Sequence, residues 1–140
     1  MRLYVASSWR CVYQPGVVQA LREHGHGVYN FRNPRPGEHG FAWSEIDPEW
    51  QNWEPAEYIA ALSHPVAQSG FSSDYVAMRW AEACVLVLPC GRSAHLEAGW
   101  FAGQNRGLHI LMLEKSEPEL MYRLADSVTT TLTDLLEVLQ

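Results

Sequence analysis

The sequence predicts an α/β domain with a parallel sheet of about five strands. Three observations carry that prediction. Short β-branched runs alternate with helical patterns along the chain, and ACVLVLP (residues 83–89) is continuously apolar, as a strand covered on both faces should be. In addition, 47% of the 140 residues are apolar, enough for one core of ordinary size, so the whole of 1–140 reads as one domain.

The elements follow in order. RLYVAS is a first strand ending in small hydroxyl residues, and PGVVQALREHGHG has helical spacing between Pro15 and Gly25. HGVYNFR supplies a second strand, and NPRPGEHG is too rich in Pro and Gly to continue it. An irregular insertion at about 32–54 then carries Trp43, Trp50 and Trp53. A loop of that length suits a lid or binding loop, and its indoles equally suit a surface or an oligomer contact. Helical patterns at about 55–63 and 66–82 lead into the central strand. AHLEAGWFAGQ reads as a helix, GLHILML as a buried strand, EPELMYRLA as a helix, SVTTT as a short strand and LTDLLEVLQ as a closing helix.

Composition excludes several partners. A net charge of -6 with no Lys/Arg run argues against binding a nucleic-acid polymer, which needs clustered cations to displace counterions. Nine arginines beside the single Lys115 could still recognise a small anion locally. The absence of any long apolar stretch predicts no membrane partner, and the N-terminus lacks the apolar run of a secretory signal, so a soluble, cytoplasmic protein is expected. Cys11, Cys84 and Cys90 lack CxxC spacing, which predicts reduced thiols and no metal site.

Ligands of open α/β sheets collect beyond the carboxyl ends of the strands. Two polar loops fall there: Ser7, Ser8, Trp9 and Arg10 after the first strand, and Gly91, Arg92 and Ser93 after the central one. Ser93 reads as the N-cap of the next helix, and Glu97 then falls one position too late for a capping box. Small residues (Ala94, Ala98, Gly99, Ala102, Gly103) make that helix narrow, so Glu97 could project into a partly dry crevice, where the helix dipole would help keep it ionised. Spacing alone favours a surface glutamate on an amphipathic helix. Asp74 is a second candidate acid, with a helix-start role beside Ser72 and Ser73 as the alternative. His95 lies two residues from Glu97, the wrong spacing for a dyad, and His24, His26 and His64 read as structural or solvated. Phosphate-loop, GxGxxG and GxSxG patterns are absent.

With these residues the chain resembles the nucleoside 2-deoxyribosyltransferase family and its relatives, the 2'-deoxynucleoside 5'-monophosphate N-glycosidases. The likeness spans about 2–113 and rests on Tyr4 in LYVASSW, Asp74, Glu97 in LEAGWFAGQNRG and the strand LHILML. The family pattern E-x-G-x-A-x-x-x-G-K-P is matched by Glu97 and Gly99, with Phe101 at the Ala and no Gly-Lys-Pro. The resemblance implies a flavodoxin-like three-layer sandwich that acts as a glycosidase (hydrolase) or transferase, without metal or organic cofactor, on a nucleoside or nucleotide. It implies Glu97 as nucleophile, Asp74 binding and protonating the departing base, and Tyr4 orienting the glutamate. Ser7, Ser8, Trp9, Arg10, Gly91, Arg92 and Ser93 would line the substrate site, and SSWR with Ser93 resembles a phosphate-holding arrangement. Gly91 stands where the transferases carry an acid that contacts the base. Family sites are often completed by a second chain, so a homo-oligomer, dimer or higher, is implied. The other readings are NAD cleavage of the TIR type, a non-catalytic nucleotide-binding module, or an assembly protein using its tryptophans as an interface.

Overall fold

Five apolar segments that alternate with helices have to bury both faces of a sheet, and they do so by pairing in parallel. The computed structural model describes all 140 residues. Its strands are β1 (Arg2–Ala6), β2 (Gly27–Asn30), β3 (Ala83–Leu88), β4 (Gly107–Met112) and β5 (Ser127–Thr129), in the order β2-β1-β3-β4-β5. That order is the flavodoxin-like one, with its switch point between β1 and β3. The helices are α1 (Gln14–Glu23), α2 (Pro55–Leu62), α3 (Pro65–Trp80), α4 (Arg92–Gly103) and α5 (Leu132–Val138). The chain divides into two compact units, Met1–Asn30 with Met78–Gln140, and Phe31–Ala77.

In the first unit, β3 is buried along its whole length. Side chains of alternating parity separate two layers. Leu3, Val5, Ala83, Val85, Val87 and Leu111 pack with Val17, Val18 and Leu21 of α1 and with Leu135 of α5. The opposite parity, including Tyr4, faces α4, whose Ala94, Ala98 and Phe101 are buried.

The second unit has little regular structure before α2, only short 3₁₀ turns at Trp43–Glu45 and Trp50–Asn52. Its order comes from rings. Trp43 meets Phe41 edge-on at 4.7 Å, Trp53 at 5.7 Å and Tyr58 at 5.6 Å, and the Trp53 indole donates to Asp47 Oδ2 at 2.8 Å. Gly70 is required beneath Phe41, because a Cβ there would lie 2.9 Å from the Phe41 Cβ. Two of the three tryptophans of the insertion are therefore packing residues of their own unit, while Trp50 stays exposed.

Two sequence expectations are corrected. Residues 117–125 form no α-helix. Only a 3₁₀ helix, Leu120–Leu124, fits between Pro118 and the start of β5, and the Glu119 carboxylate accepts from the Met121 amide at its head. The helix carrying Glu97 begins at Arg92, with Gly91 as its N-cap, so Ser93 lies inside the first turn.

The departure from Gly-Lys-Pro also has a structural reading. Asn105 takes the glycine place with φ +54°, the left-handed conformation that Asn tolerates best after Gly. Arg106 takes the lysine place, and its Nη1 donates to the carbonyls of Met78, Arg79 and Ala81 at 3.0, 2.8 and 2.8 Å, closing the end of α3. A hollow of about 340 Å³ lies here at the amino ends of the strands. It lies at the end of the sheet opposite to the loops where such folds bind ligands, and Arg106 serves the backbone there. Arg106→Ala should cost about 1 kcal/mol in urea unfolding, because it removes the donor shared by three partly shielded carbonyls. A variant as stable as the parent would show that this cap carries nothing.

Candidate active site

Parity places the Tyr4 ring on the α4 side of β1, and helical periodicity places Glu97 and Phe101 one turn apart on the same face of α4. The two elements meet there. The Tyr4 hydroxyl donates to Glu97 Oε2, and the Tyr4 ring lies tilted against Phe101 at 5.8 Å. On its other side Tyr4 stacks on Tyr29 of β2, with ring centres 5.3 Å apart and planes 16° from parallel. The β1–β2 register makes this contact, since Tyr4 and Tyr29 are direct partners. Tyr4 and Phe101 are both fully buried.

Burial pushes the Glu97 carboxyl up to about 8. The Tyr4 hydroxyl acts in the opposite sense, because a donor to the carboxylate favours the ionised form. The expectation that the helix dipole would keep Glu97 ionised is therefore corrected. Glu97 is the sixth residue of a helix starting at Arg92, beyond the first turn where the dipole acts, and desolvation decides the balance.

The loops at the carboxyl ends of β1 and β3 run to helices on opposite faces of the sheet, the arrangement of a topological switch point. Ser7, nearly buried, donates its hydroxyl to the Val87 carbonyl at 2.8 Å and ties the start of the β1 loop to β3. Ser8 turns the loop, its Oγ accepting from the Arg10 amide and its carbonyl from the Cys11 amide. Trp9 is half exposed, and the side chains of Arg10, Arg92 and Ser93 lie in solvent. Gly91 has open space where a Cβ would stand.

Asp74 sits in the second unit, in the interior of α3, which begins at Pro65, so a helix-start role is excluded. His95 faces away from Glu97. Its Nδ1 meets the Gly91 carbonyl at 2.7 Å and its Nε2 the Tyr122 hydroxyl at 2.9 Å, with the two rings stacked. His24, His26 and His64 make local contacts to the Ala20 carbonyl, the N-terminal amine and the Val66 amide. The three cysteines are free thiols, and burial raises Cys84 above the ordinary range and Cys90 up to about 12. No three His, Cys, Asp or Glu side chains gather to ligate a metal ion, and no helix is long and apolar enough to cross a membrane.

Sequence reading missed Tyr29. Its only signal was a place in a β strand, and the register that sets it beside Tyr4 cannot be read from one chain segment.

No family model and no curated protein sequence matches the chain. Solved structures do share its fold. A 2-deoxyribosyltransferase from the psychrotolerant bacterium Bacillus psychrosaccharolyticus superposes with a TM-score of 0.68 at 17% identity, covering 97% of this chain and 90% of that one. A conserved protein from Enterococcus faecalis V583 gives 0.62 at 13%, covering 98% and 95%. The CMP N-glycosidase BcmB of Clostridium botulinum gives 0.51 at 13%, covering 99% and 98%.

The folded state holds the Glu97 proton to about pH 8, whereas the unfolded chain releases it near the ordinary 4.5, so Glu97 lowers stability progressively as pH rises through that window. Glu97→Gln should melt with the parent near pH 4 and roughly 4 °C or more above it at pH 8; a difference that does not change with pH would contradict a buried carboxyl. Gly91→Asp places a better N-cap in open space and should raise the melting temperature by about 1–2 °C. A loss of stability would mean that the position is constrained.

Proposed function

We propose that this protein belongs with the nucleoside 2-deoxyribosyltransferase-like enzymes and breaks or exchanges the N-glycosidic bond of a nucleoside or nucleoside 5'-monophosphate. The observation that carries this reading is the partly buried Glu97 carboxyl, held by the Tyr4 hydroxyl on the α4 side of the switch-point strand β1. The fold is shared with a deoxyribosyltransferase and a CMP N-glycosidase, which supports the same reaction class.

The chemistry follows from the residue types. One oxygen of ionised Glu97 attacks the anomeric carbon as the carbon–nitrogen bond breaks, and the electron pair leaves with the base. Asp74, carried over from the family pattern, gives the departing base its proton. The glycosyl ester on Glu97 is then opened by water, which makes the enzyme a hydrolase, or by a second base, which makes it a transferase. The Tyr4 hydroxyl fixes which oxygen attacks and stabilises the carboxylate released when the ester opens. Oxocarbenium character on the sugar is matched by the negative charge beside it, in surroundings dry enough to strengthen the attraction. Arg10, Arg92 and Ser93, with side chains in solvent around the strand ends, suit a 5'-phosphate. Ser7 contributes by fixing the loop, its proton being committed to Val87.

The attacking group must be ionised, and with a carboxyl near 8 only about a tenth of the free enzyme is ready at pH 7. Screening nucleosides and 5'-monophosphates for free base should therefore give kcat/KM that climbs with pH and levels above about 8. Glu97→Gln should lose activity by about 10³-fold or more while remaining folded. Base release at the parent rate by that variant would refute the assignment.

A further inference from the structure

We propose that Tyr29 is a positioning residue for the reaction, acting through Tyr4: its ring supports the Tyr4 phenol so that the hydroxyl stays on the Glu97 carboxylate. The inference rests on the proposed role of Glu97 for its catalytic consequence and on geometry alone for its effect at the carboxyl.

A phenol on a strand can swing about two side-chain torsions, and a hydroxyl at the end of that lever is easily displaced. Here the ring is held on two sides. Tyr29 stacks on it almost parallel at 5.3 Å, and Phe101 leans on it at 5.8 Å from the same helix face that carries Glu97. The two supports differ in origin. Phe101 moves with Glu97 because both ride on α4, whereas Tyr29 belongs to β2 and is fixed to Tyr4 by strand register. Tyr29 thus references the hydroxyl to the sheet, and Phe101 references it to the helix. Phe101 is also a fully buried core residue, so its removal would disturb the whole layer, while Tyr29 is only partly buried.

Few other groups in the first unit can tune Glu97 from the elements beneath α4. On β3 the partner of Tyr4 is Cys84, a thiol that burial keeps protonated. On β4 His109 shares the parity of Leu111 and so faces the α1–α5 layer. On α4 itself the His95 ring is turned to Tyr122.

The test is a carbon-13 NMR titration of the Glu97 side-chain carboxyl, assigned by its loss in Glu97→Gln, in the full chain. Tyr29→Leu should raise the Glu97 midpoint by about one pH unit, the scale of one charge-assisted hydrogen bond. Tyr29→Phe, which keeps the ring, should leave it unchanged. In a Tyr4→Phe background, Tyr29→Leu should produce no further shift, because the hydroxyl it positions is gone. With a substrate in hand, Tyr29→Leu should lower kcat with KM little changed and move the rising limb of the pH profile upward by the same amount. Tyr29→Val, a side chain suited to strands, serves if the leucine variant does not give a native amide spectrum. An unchanged midpoint in Tyr29→Leu, or an equal shift with and without the Tyr4 hydroxyl, overturns the proposal. If no nucleoside or nucleotide is turned over, the reaction assignment fails, and the titration still decides the role of Tyr29.

Discussion

The hydroxyl of Tyr4 and the carboxyl of Glu97 meet across 93 residues of sequence, one on the strand beside the middle of the sheet and the other on the helix that covers it. A carboxyl in that position is costly to ionise, and a hydroxyl donor is the group that offsets part of the cost without bringing in an opposing charge. The result is a side chain whose protonation sits near neutrality, set by burial on one side and one hydrogen bond on the other. Any movement of β1 against α4 changes both influences together. The sheet and the helix that covers it therefore act on one proton.

The remainder of the first unit can be understood as holding those two elements in place. Ser7 ties the end of β1 to β3 through the Val87 carbonyl, so the loop after β1 starts from a fixed point. Arg106 gathers three carbonyls at the end of α3, and the left-handed Asn105 before it lets the chain leave α4 and enter β4. Ala94 and Ala98 bring α4 close to the sheet, which shortens the path from Glu97 to Tyr4. The second unit is organised differently, by aromatic edges around Trp43 instead of by a sheet.

Much of this was legible in the chain. Continuous apolarity marked β3, alternation with helical spacing marked the parallel sheet, and the displaced acid at 97 was visible as a residue with no local structural duty. What was not legible depended on pairing and on solvent. Strand register, which sets Tyr29 beside Tyr4, is a relation between two distant segments. The N-cap shifted from Ser93 to Gly91 because helix ends are determined by where the preceding strand stops, and the segment 117–125 was too confined to complete an α-helical turn. The Glu97 carboxyl was expected to be ionised because a helix dipole can be inferred from sequence, whereas the depth of burial that overrides it cannot.

The account stands on Glu97 forming a bond to sugar. Incubation with a 2'-deoxy-2'-fluoro-arabinonucleoside or its 5'-phosphate, whose electron-withdrawing fluorine disfavours the oxocarbenium-like transition state by which a glycosyl ester opens, followed by intact-mass measurement and peptide mapping, examines that step itself. The predicted result is one added fluoropentosyl group, or its phosphate, on the peptide containing Glu97, with release of one equivalent of base. A single equivalent of base released with the sugar attached to a different residue, or continuous release with no adduct at any time, would contradict it.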